Sequence, residues 1–182
     1  MQAATLIKRA VVIGNSGGGK SALARRLASA WNCRHVEIDA LLWRPGWELT
    51  PAEVYQTEHA RLIAEESWII DGLGRFDSIA ERLARATDII LVDMPVWMHF
   101  WLAAERQIRW STGAIDHPPA GLTAMPPTEA LFRAIWEVNQ NWMPEIRRHV
   151  ALEEKRGKRV FRLGSISDLD GFDSGSEEPH RT

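Results

Sequence analysis

The 182-residue sequence has a single cysteine, Cys33, and no surplus of charge of either sign. One thiol excludes an intrachain disulfide and a cysteine-based metal cluster, and it suits a reducing compartment. The net charge is −2 and the basic residues are spread along the chain, so no basic surface for a polyanion is indicated. We therefore expect no direct nucleic-acid binding.

Long hydrophobic runs are also missing. No stretch of 18 apolar residues occurs, and Lys8 and Arg9 lead into an apolar segment without the features of a signal peptide. We expect a cytoplasmic protein that does not associate with membranes. The six histidines, His99 and His117 among them, lack the spacing of metal ligands, which favours packing or solvated roles.

The length and composition are those of one globular domain. With 45% hydrophobic residues the chain can bury one core, but it is too short for two ordinary domains. We expect a single domain over residues 1–172. Residues 173–182 are polar and low in complexity, so we expect a disordered tail there.

A glycine-rich segment follows the apolar residues 10–13. Residues 14–21 fit the pattern G-x-x-x-x-G-K-[ST], in which backbone N–H groups surround a phosphate. Leucines at helical spacing follow, so the phosphates would meet a helix N-terminus. The predicted nucleotide-binding residues are Gly14, Asn15, Ser16, Gly17, Gly18, Gly19, Lys20 and Ser21.

This pattern assigns a role to its last two residues. Lys20 would bridge β- and γ-phosphate oxygens, and Ser21 would ligate Mg²⁺. The sequence therefore predicts ATP and Mg²⁺ as cofactors.

Apolar runs alternate with helical patterns along the rest of the chain. Such alternation predicts an α/β fold, a parallel sheet covered by helices on both faces, with the ligand at the carboxyl ends of the strands. After the first strand, the predicted strands are "HVEID", "SWIIDG", "DIILVD" and "KRVFRLG".

Three finer predictions concern the helices. Residues 50–53, T-P-A-E, have the form of a capping box and predict a helix start. Residues 128–155 predict a long helix with a kink at Pro144. Trp97 and Trp101, four residues apart, are expected in the core.

Three aspartates close predicted strands, at the same end of the sheet as the glycine-rich loop. They are Asp39, Asp71 and Asp93. One of them should serve the Mg²⁺ shell. For any single one, a simple turn or cap role is an equal alternative.

Several segments resemble one family. Together with residues 14–21, "EIDALLWRPGW", "WIIDGLGRF" and "LVDMP" are similar to adenylate-kinase-related P-loop proteins of the DNA topology modulation type, themselves similar to nucleoside monophosphate kinases. The resemblance implies a three-layer P-loop NTPase fold, nucleoside monophosphate kinase-like, with a five-stranded parallel sheet and a lid segment. It also implies phosphoryl transfer from ATP to a small acceptor.

The resemblance suggests further site residues. Asp71 and Arg75 match a D-G-x-x-R motif, which implies that Asp71 holds a Mg²⁺-bound water and that Arg75 grips the acceptor phosphate; a solvated loop cation is the alternative for Arg75. Asp39 would lie at the acceptor end, as a hydrogen-bond partner or base. Trp43 and Trp47, around a Pro-Gly turn, would stack on a flat substrate or merely pack the turn.

The predicted lid, residues 111–127, carries no arginine or lysine of its own. Arg106 and Arg109 precede it, and we expect Arg106 to supply charge for transfer. The chain also lacks arginines at positions where relatives have them, namely Leu102, Gln140 and Met143, and Arg147 and Arg148 are displaced toward the helix end.

The sequence therefore leads to two hypotheses for the function. The first is an ATP- and Mg²⁺-dependent kinase, a phosphotransferase whose partners are a nucleotide and a small-molecule or nucleotide acceptor. The second is a nucleotide-binding regulatory switch with weak or no transferase activity, acting on a partner protein. A role on DNA, suggested only by the family label, is opposed by the charge balance.

Overall fold

A computed structural model describes residues 9–114 and 124–172. Five strands form a parallel sheet in the order β2-β5-β1-β6-β7, and β3 and β4 form a small antiparallel hairpin. The strands are β1 (Arg9–Gly14), β2 (His35–Glu37), β3 (Trp43–Arg44), β4 (Glu48–Leu49), β5 (Trp68–Asp71), β6 (Asp88–Val92) and β7 (Arg159–Leu163).

Helices cover both faces of the sheet. The helices are α1 (Lys20–Trp31), α2 (Ile38–Leu42), α3 (Ala52–Ala64), α4 (Phe76–Arg85), α5 (Val96–Ser111), α6 (Thr128–Glu137), α7 (Met143–Lys155) and α8 (Ile166–Gly171). A π-helical turn, Val138–Trp142, joins α6 to α7. In the described part of the chain, no helix is long and apolar enough to span a membrane.

Side chains alternate across the sheet, as strand geometry requires. On β1, Val11 and Ile13 belong to one core cluster, which α3, α4 and α7 cover, whereas Ala10 and Val12 belong to the other, under α1 and α8. The three-layer α/β fold with a five-stranded parallel sheet is therefore confirmed. Of the expected lid, residues 115–123 lie outside the described part, as does the tail 173–182.

The long helix expected over residues 128–155 is present as α6, the π-helical turn and α7, without a break. The irregularity lies directly before Pro144, where a proline cannot donate to the preceding turn. At the position of the predicted kink, the structure has a π-helical turn.

Two local predictions differ from the structure. β2 ends at Glu37, and Asp39 lies in the first turn of α2 rather than in the strand. The capping box at residues 50–53 does not form, since α3 begins at Ala52 and its cap makes no side-chain hydrogen bond. Thr50 is held elsewhere, because its N–H donates to the carbonyl of Leu42 at 2.9 Å.

The expectation that Trp97 and Trp101 lie in the core is wrong. They are 62% and 63% exposed. Helix α5 instead buries the face formed by His99, Ala103 and Gln107. That face lies against the glycine-rich loop, where a Cβ added to Gly17 would come within 2.8 Å of the His99 carbonyl oxygen. The small side chain of Ala103 lets Gly17 approach this face of α5. The tryptophans lie on the opposite face.

The loop after β5 passes very close to α3. Gly74 has a φ of +62°, and a Cβ there would overlap the hydroxyl of Tyr55. A glycine is required both by the left-handed backbone and by this contact.

We expect Gly74→Ala to lower the free energy of unfolding by about 2 kcal/mol or more, because the left-handed conformation and the overlap with Tyr55 both oppose it. Gly46→Ala is the matched control: its φ is +83° and nothing lies within 4 Å of the added Cβ. The control should lose only about 1 kcal/mol. Urea denaturation of both variants tests this, and equal losses would contradict the packing argument.

Candidate functional site

The glycine-rich loop connects β1 to α1 at the carboxyl end of the sheet. Lys20, the first residue of α1, is only 7% exposed, and its Nζ donates to the carbonyl of Asn15 at 2.7 Å. The Asn15 side chain accepts from the N–H of Ser16 at 2.7 Å and donates to the carbonyl of Ile135 in α6 at 2.8 Å. The loop is thus closed on itself and fixed to a distant helix.

His99 supports the loop from α5. Its Nδ1 lies 2.9 Å from the carbonyl of Ser16, which makes the ring nitrogen the donor. Burial and the nearby charge of Lys20 lower the pKa of His99, so the ring is neutral at pH 7. His99 therefore supports the backbone of the loop.

Ser21 and Asp71 meet directly below the loop. The Ser21 hydroxyl donates to Asp71 Oδ2 at 2.5 Å, and His35 Nε2 lies 2.7 Å from Asp71 Oδ1. Hydroxyl and carboxylate oxygens are the ligands Mg²⁺ prefers, usually one or two per site together with phosphate oxygens. The pair therefore fits Mg²⁺, and the described residues hold no larger His, Cys, Asp and Glu cluster for a metal.

Asp93, the alternative to Asp71, is engaged with a cation. Both its oxygens accept from the Arg147 guanidinium, at 2.7 and 2.8 Å. Its carboxylate is therefore committed to an ion pair, and that pair also occupies Arg147. The contacts favour Asp71 over Asp93 beside Ser21.

Asp39 and Lys20 share the region between the loop and α2. Burial raises the pKa of Asp39, while the Lys20 charge and the Gly74 N–H, 3.0 Å from Asp39 Oδ1, oppose the rise. Burial lowers the pKa of Lys20, and the charges of Asp39 and Asp71 oppose that shift. Lys20 and Asp39 therefore stabilise each other's charged forms, whereas the Asp71 carboxylate acts in the opposite direction and raises the pKa of Asp39.

Two of the expected arginines approach this region. Burial lowers the pKa of Arg106, and the carboxylates of Asp39 and Glu37 oppose this shift. Arg106 therefore lies on the Asp39 side of the site. Arg75 directly follows Gly74 in the chain. Its Nε lies 3.4 Å from Asp77 Oδ1, which is a long ion pair. The predicted residues Lys20, Asp39, Arg75 and Arg106 therefore belong to one region of the molecule.

The β3–β4 hairpin adds aromatic side chains near that region. The Trp47 indole packs edge-on to Trp43, lies 6.5 Å from Trp110 between ring centroids, and donates to the carbonyl of Ala124 at 3.0 Å. The Arg106 guanidinium carbon lies 5.6 Å from the centre of the Trp110 ring. These contacts favour a packing role for both hairpin tryptophans, with one face of the cluster toward Arg106.

Sequence reasoning missed the polar residues beneath the Gly74 loop. The Tyr55 hydroxyl accepts from the N–H of Arg75 at 3.2 Å and lies 3.0 Å from the Ser78 hydroxyl. Arg82 donates to the carbonyls of Gly72 and Leu73. A signal did exist for Arg82, because it shares the apolar stripe of α4 with Ile79 and Leu83 at spacings of three and one.

An open groove lies on the other side of the loop. Gly18 and the apolar side chains of Leu102, Ile166 and Leu169 line it, with Arg26 at its margin. Arg26 is fixed there by donating to the carbonyl of Leu169.

Comparison with solved structures identifies the fold. A shikimate kinase from Acinetobacter baumannii, in complex with shikimate, is similar with a TM-score of 0.52 and 13% identity, over 90% of this chain and 88% of that chain. A gluconokinase from Sinorhizobium meliloti 1021 aligns with a TM-score of 0.43 and 17% identity, over 84% and 99% of the two chains. No protein-family model matches the chain, and no curated protein matches it in sequence.

At this identity the likeness to the shikimate kinase concerns the fold. It supports the parallel α/β fold of this chain. The narrower adenylate-kinase-related family stays a prediction.

His59 lies below the Gly74 loop, and its environment predicts that the free energy of unfolding depends on pH. Its ring stacks on Tyr55, and burial together with the Arg82 charge lowers its pKa to about 4. In the unfolded chain the histidine has its ordinary pKa of 6.5, so folding favours the neutral ring. The free energy of unfolding therefore has its full value above pH 6.5 and decreases as the pH falls toward 4.

We expect the free energy of unfolding of the wild type to fall by about 2 kcal/mol more than that of His59→Phe between pH 7 and pH 5. Phenylalanine keeps the stacking but cannot be protonated. Denaturant titrations at the two pH values measure the difference. The same pH dependence in both proteins would contradict the assignment.

Proposed function

We propose that the protein, as a single domain over residues 1–172, transfers the γ-phosphoryl group of ATP to a small hydroxylated or phosphorylated acceptor, with Mg²⁺. The observation that carries the proposal is the convergence of Lys20, Asp39 and Asp71 at the mouth of the glycine-rich loop. A phosphate-binding lysine, a metal-holding carboxylate and a second, partly buried carboxylate are the groups such a transfer needs.

The nucleotide would bind across the loop. Backbone N–H groups of residues 14–21 and the N-terminus of α1 would hold the phosphates. The Lys20 ammonium, now bonded to the Asn15 carbonyl, would exchange that partner for phosphate oxygens. The base would lie in the groove formed by Leu102, Ile166 and Leu169.

Ser21 and Asp71 would hold Mg²⁺, directly or through water. When bound, the ion neutralises charge on the β- and γ-phosphates. His35, bonded to the other oxygen of Asp71, would keep that carboxylate oriented.

The acceptor would bind on the Asp39 side. Asp39 would accept the hydroxyl proton as the acceptor oxygen bonds to the γ-phosphorus and the bond to the β-phosphate oxygen breaks. Arg75 and Arg106 would neutralise charge on the acceptor and on the transferred group. The Gly74 N–H keeps Asp39 oriented for this step.

One observation favours the alternative, a nucleotide-dependent switch with weak or no transfer. Arg147 is bound to Asp93, so this cation is not directed at the phosphates. Incubation with ATP, Mg²⁺ and a panel of nucleosides, nucleotides and small hydroxylated metabolites separates the two functions. A phosphorylated acceptor supports the kinase, whereas tight ATP binding without turnover supports the switch.

We expect Lys20→Ala to weaken ATP–Mg²⁺ binding or turnover by about a hundredfold or more, since it removes the charge that faces the β- and γ-phosphates. Isothermal titration and turnover assays measure the two effects. The control is Lys155→Ala, at an exposed position at the end of α7. Unchanged affinity and turnover in Lys20→Ala would refute the nucleotide site.

We expect Asp39→Asn to lower acceptor phosphorylation by about a hundredfold while ATP affinity changes less than about threefold, because the amide cannot take the proton. Glu48→Gln, an exposed carboxylate on the nearby hairpin, is the control. If Asp39→Asn weakened ATP binding and left acceptor kinetics intact, the two carboxylates would be assigned to the wrong ends of the site.

A further inference from the structure

Arg82 is, with Asp88, one of the two charged residues in the described part of the chain that are completely buried. Its relative exposure is 0%, and its Nη2 donates to the carbonyls of Gly72 at 3.1 Å and Leu73 at 2.8 Å. Its Nε and Nη1 find no hydrogen-bond partner among the described residues. A buried guanidinium with three of its five N–H donors unpaired is costly and calls for an explanation.

Packing alone does not explain this arginine. It lies on the buried stripe of α4, next to Leu83 and one turn from Ile79, where an apolar side chain would fill the same space without desolvating a charge. No carboxylate in the described part of the chain pairs directly with Arg82. Burial lowers the pKa of Arg82, and Tyr55 and the carboxylates of Asp39 and Asp71, both in the site, oppose that shift.

The two carbonyls that Arg82 binds belong to the loop that orients Asp39. From Gly72 the chain turns through Gly74, whose N–H donates to Asp39 Oδ1 at 3.0 Å. Tyr55 fixes the end of this loop by accepting from the N–H of Arg75. Arg82 and Tyr55 therefore hold the loop from below, and Asp39 contacts it from above.

We propose that Arg82 is a positioning residue for phosphoryl transfer, which fixes residues 72–75 so that Gly74 holds the Asp39 carboxylate toward the acceptor hydroxyl. This inference rests on the proposed function. A group that orients the base without touching substrate should affect turnover much more than ATP binding. It should also lose its effect once the base itself is removed.

The first test is Arg82→Met, which keeps the volume and removes the charge and the donors. We expect kcat to fall about twentyfold, with the dissociation constant for ATP within about twofold of the wild type. The matched control is Arg85→Met on the same helix, because Arg85 also donates to a backbone carbonyl, that of Ile63, away from Asp39. The control should keep wild-type kcat.

The second test is a double-variant cycle with Asp39→Asn. Since Arg82 acts through Asp39, adding Arg82→Met to Asp39→Asn should lower the remaining kcat by less than about twofold. A merely structural arginine would give the same fold loss in both backgrounds. Such multiplicative losses, or an undiminished kcat in Arg82→Met, would overturn the inference.

Arg82→Lys keeps the experiment decisive if the methionine variant does not fold. Lysine retains the charge and can reach one carbonyl but lacks the planar fork, so we expect kcat about fivefold lower, again only when Asp39 is present. Equal losses with and without Asp39, or none, would overturn the inference. If the wild type itself transferred no phosphoryl group, the proposed function would fall; if the wild type were active and every Arg82 variant equally so, only this inference would fall.

Discussion

Burial of the Lys20 ammonium is the constraint that shapes the carboxyl end of the sheet. A cation with 7% exposure must be surrounded by oxygen atoms, and here the Asn15 carbonyl bonds to it while Asp39 and Asp71 supply the opposing charge. Asp71 is in turn held by Ser21 and His35, and Asp39 is held by the Gly74 N–H. The loop, β2 and β5 therefore have to meet at one point, and the parallel register of the sheet brings them there.

The parts of the molecule that follow local rules could be predicted from the sequence. Apart from β2, the parallel strands are short, mainly apolar runs, and most helices between them have clear periodicity, so pattern alone identifies these elements. The glycine-rich loop is a local motif with fixed spacing, which places Lys20 and Ser21 without knowledge of the fold. Asp71 could be expected at the same end of the sheet because it ends a predicted strand, but its contact with Ser21 depends on the strand order, in which β5 neighbours β1.

The remainder depends on contacts that no local pattern encodes. The tryptophans of α5 are exposed because the loop lies against the opposite face, a fact of tertiary packing. The β3–β4 hairpin is only two residues long on each side, too short for a periodic signal. Tyr55 and Arg82 join α3 and α4 beneath the Gly74 loop, and a buried polar group is recognisable only when its partners are known.

The Asn15 side chain has a consequence for the order of folding. Its bond to the Ile135 carbonyl connects residues 120 positions apart in the chain. Contacts of such high sequence separation form late, because a large loop must close before they contribute. The strands β1, β5 and β6 can pair before α6 has docked, but the glycine-rich loop reaches its final shape only afterwards. A newly synthesised chain would therefore form the centre of its sheet before this loop is complete.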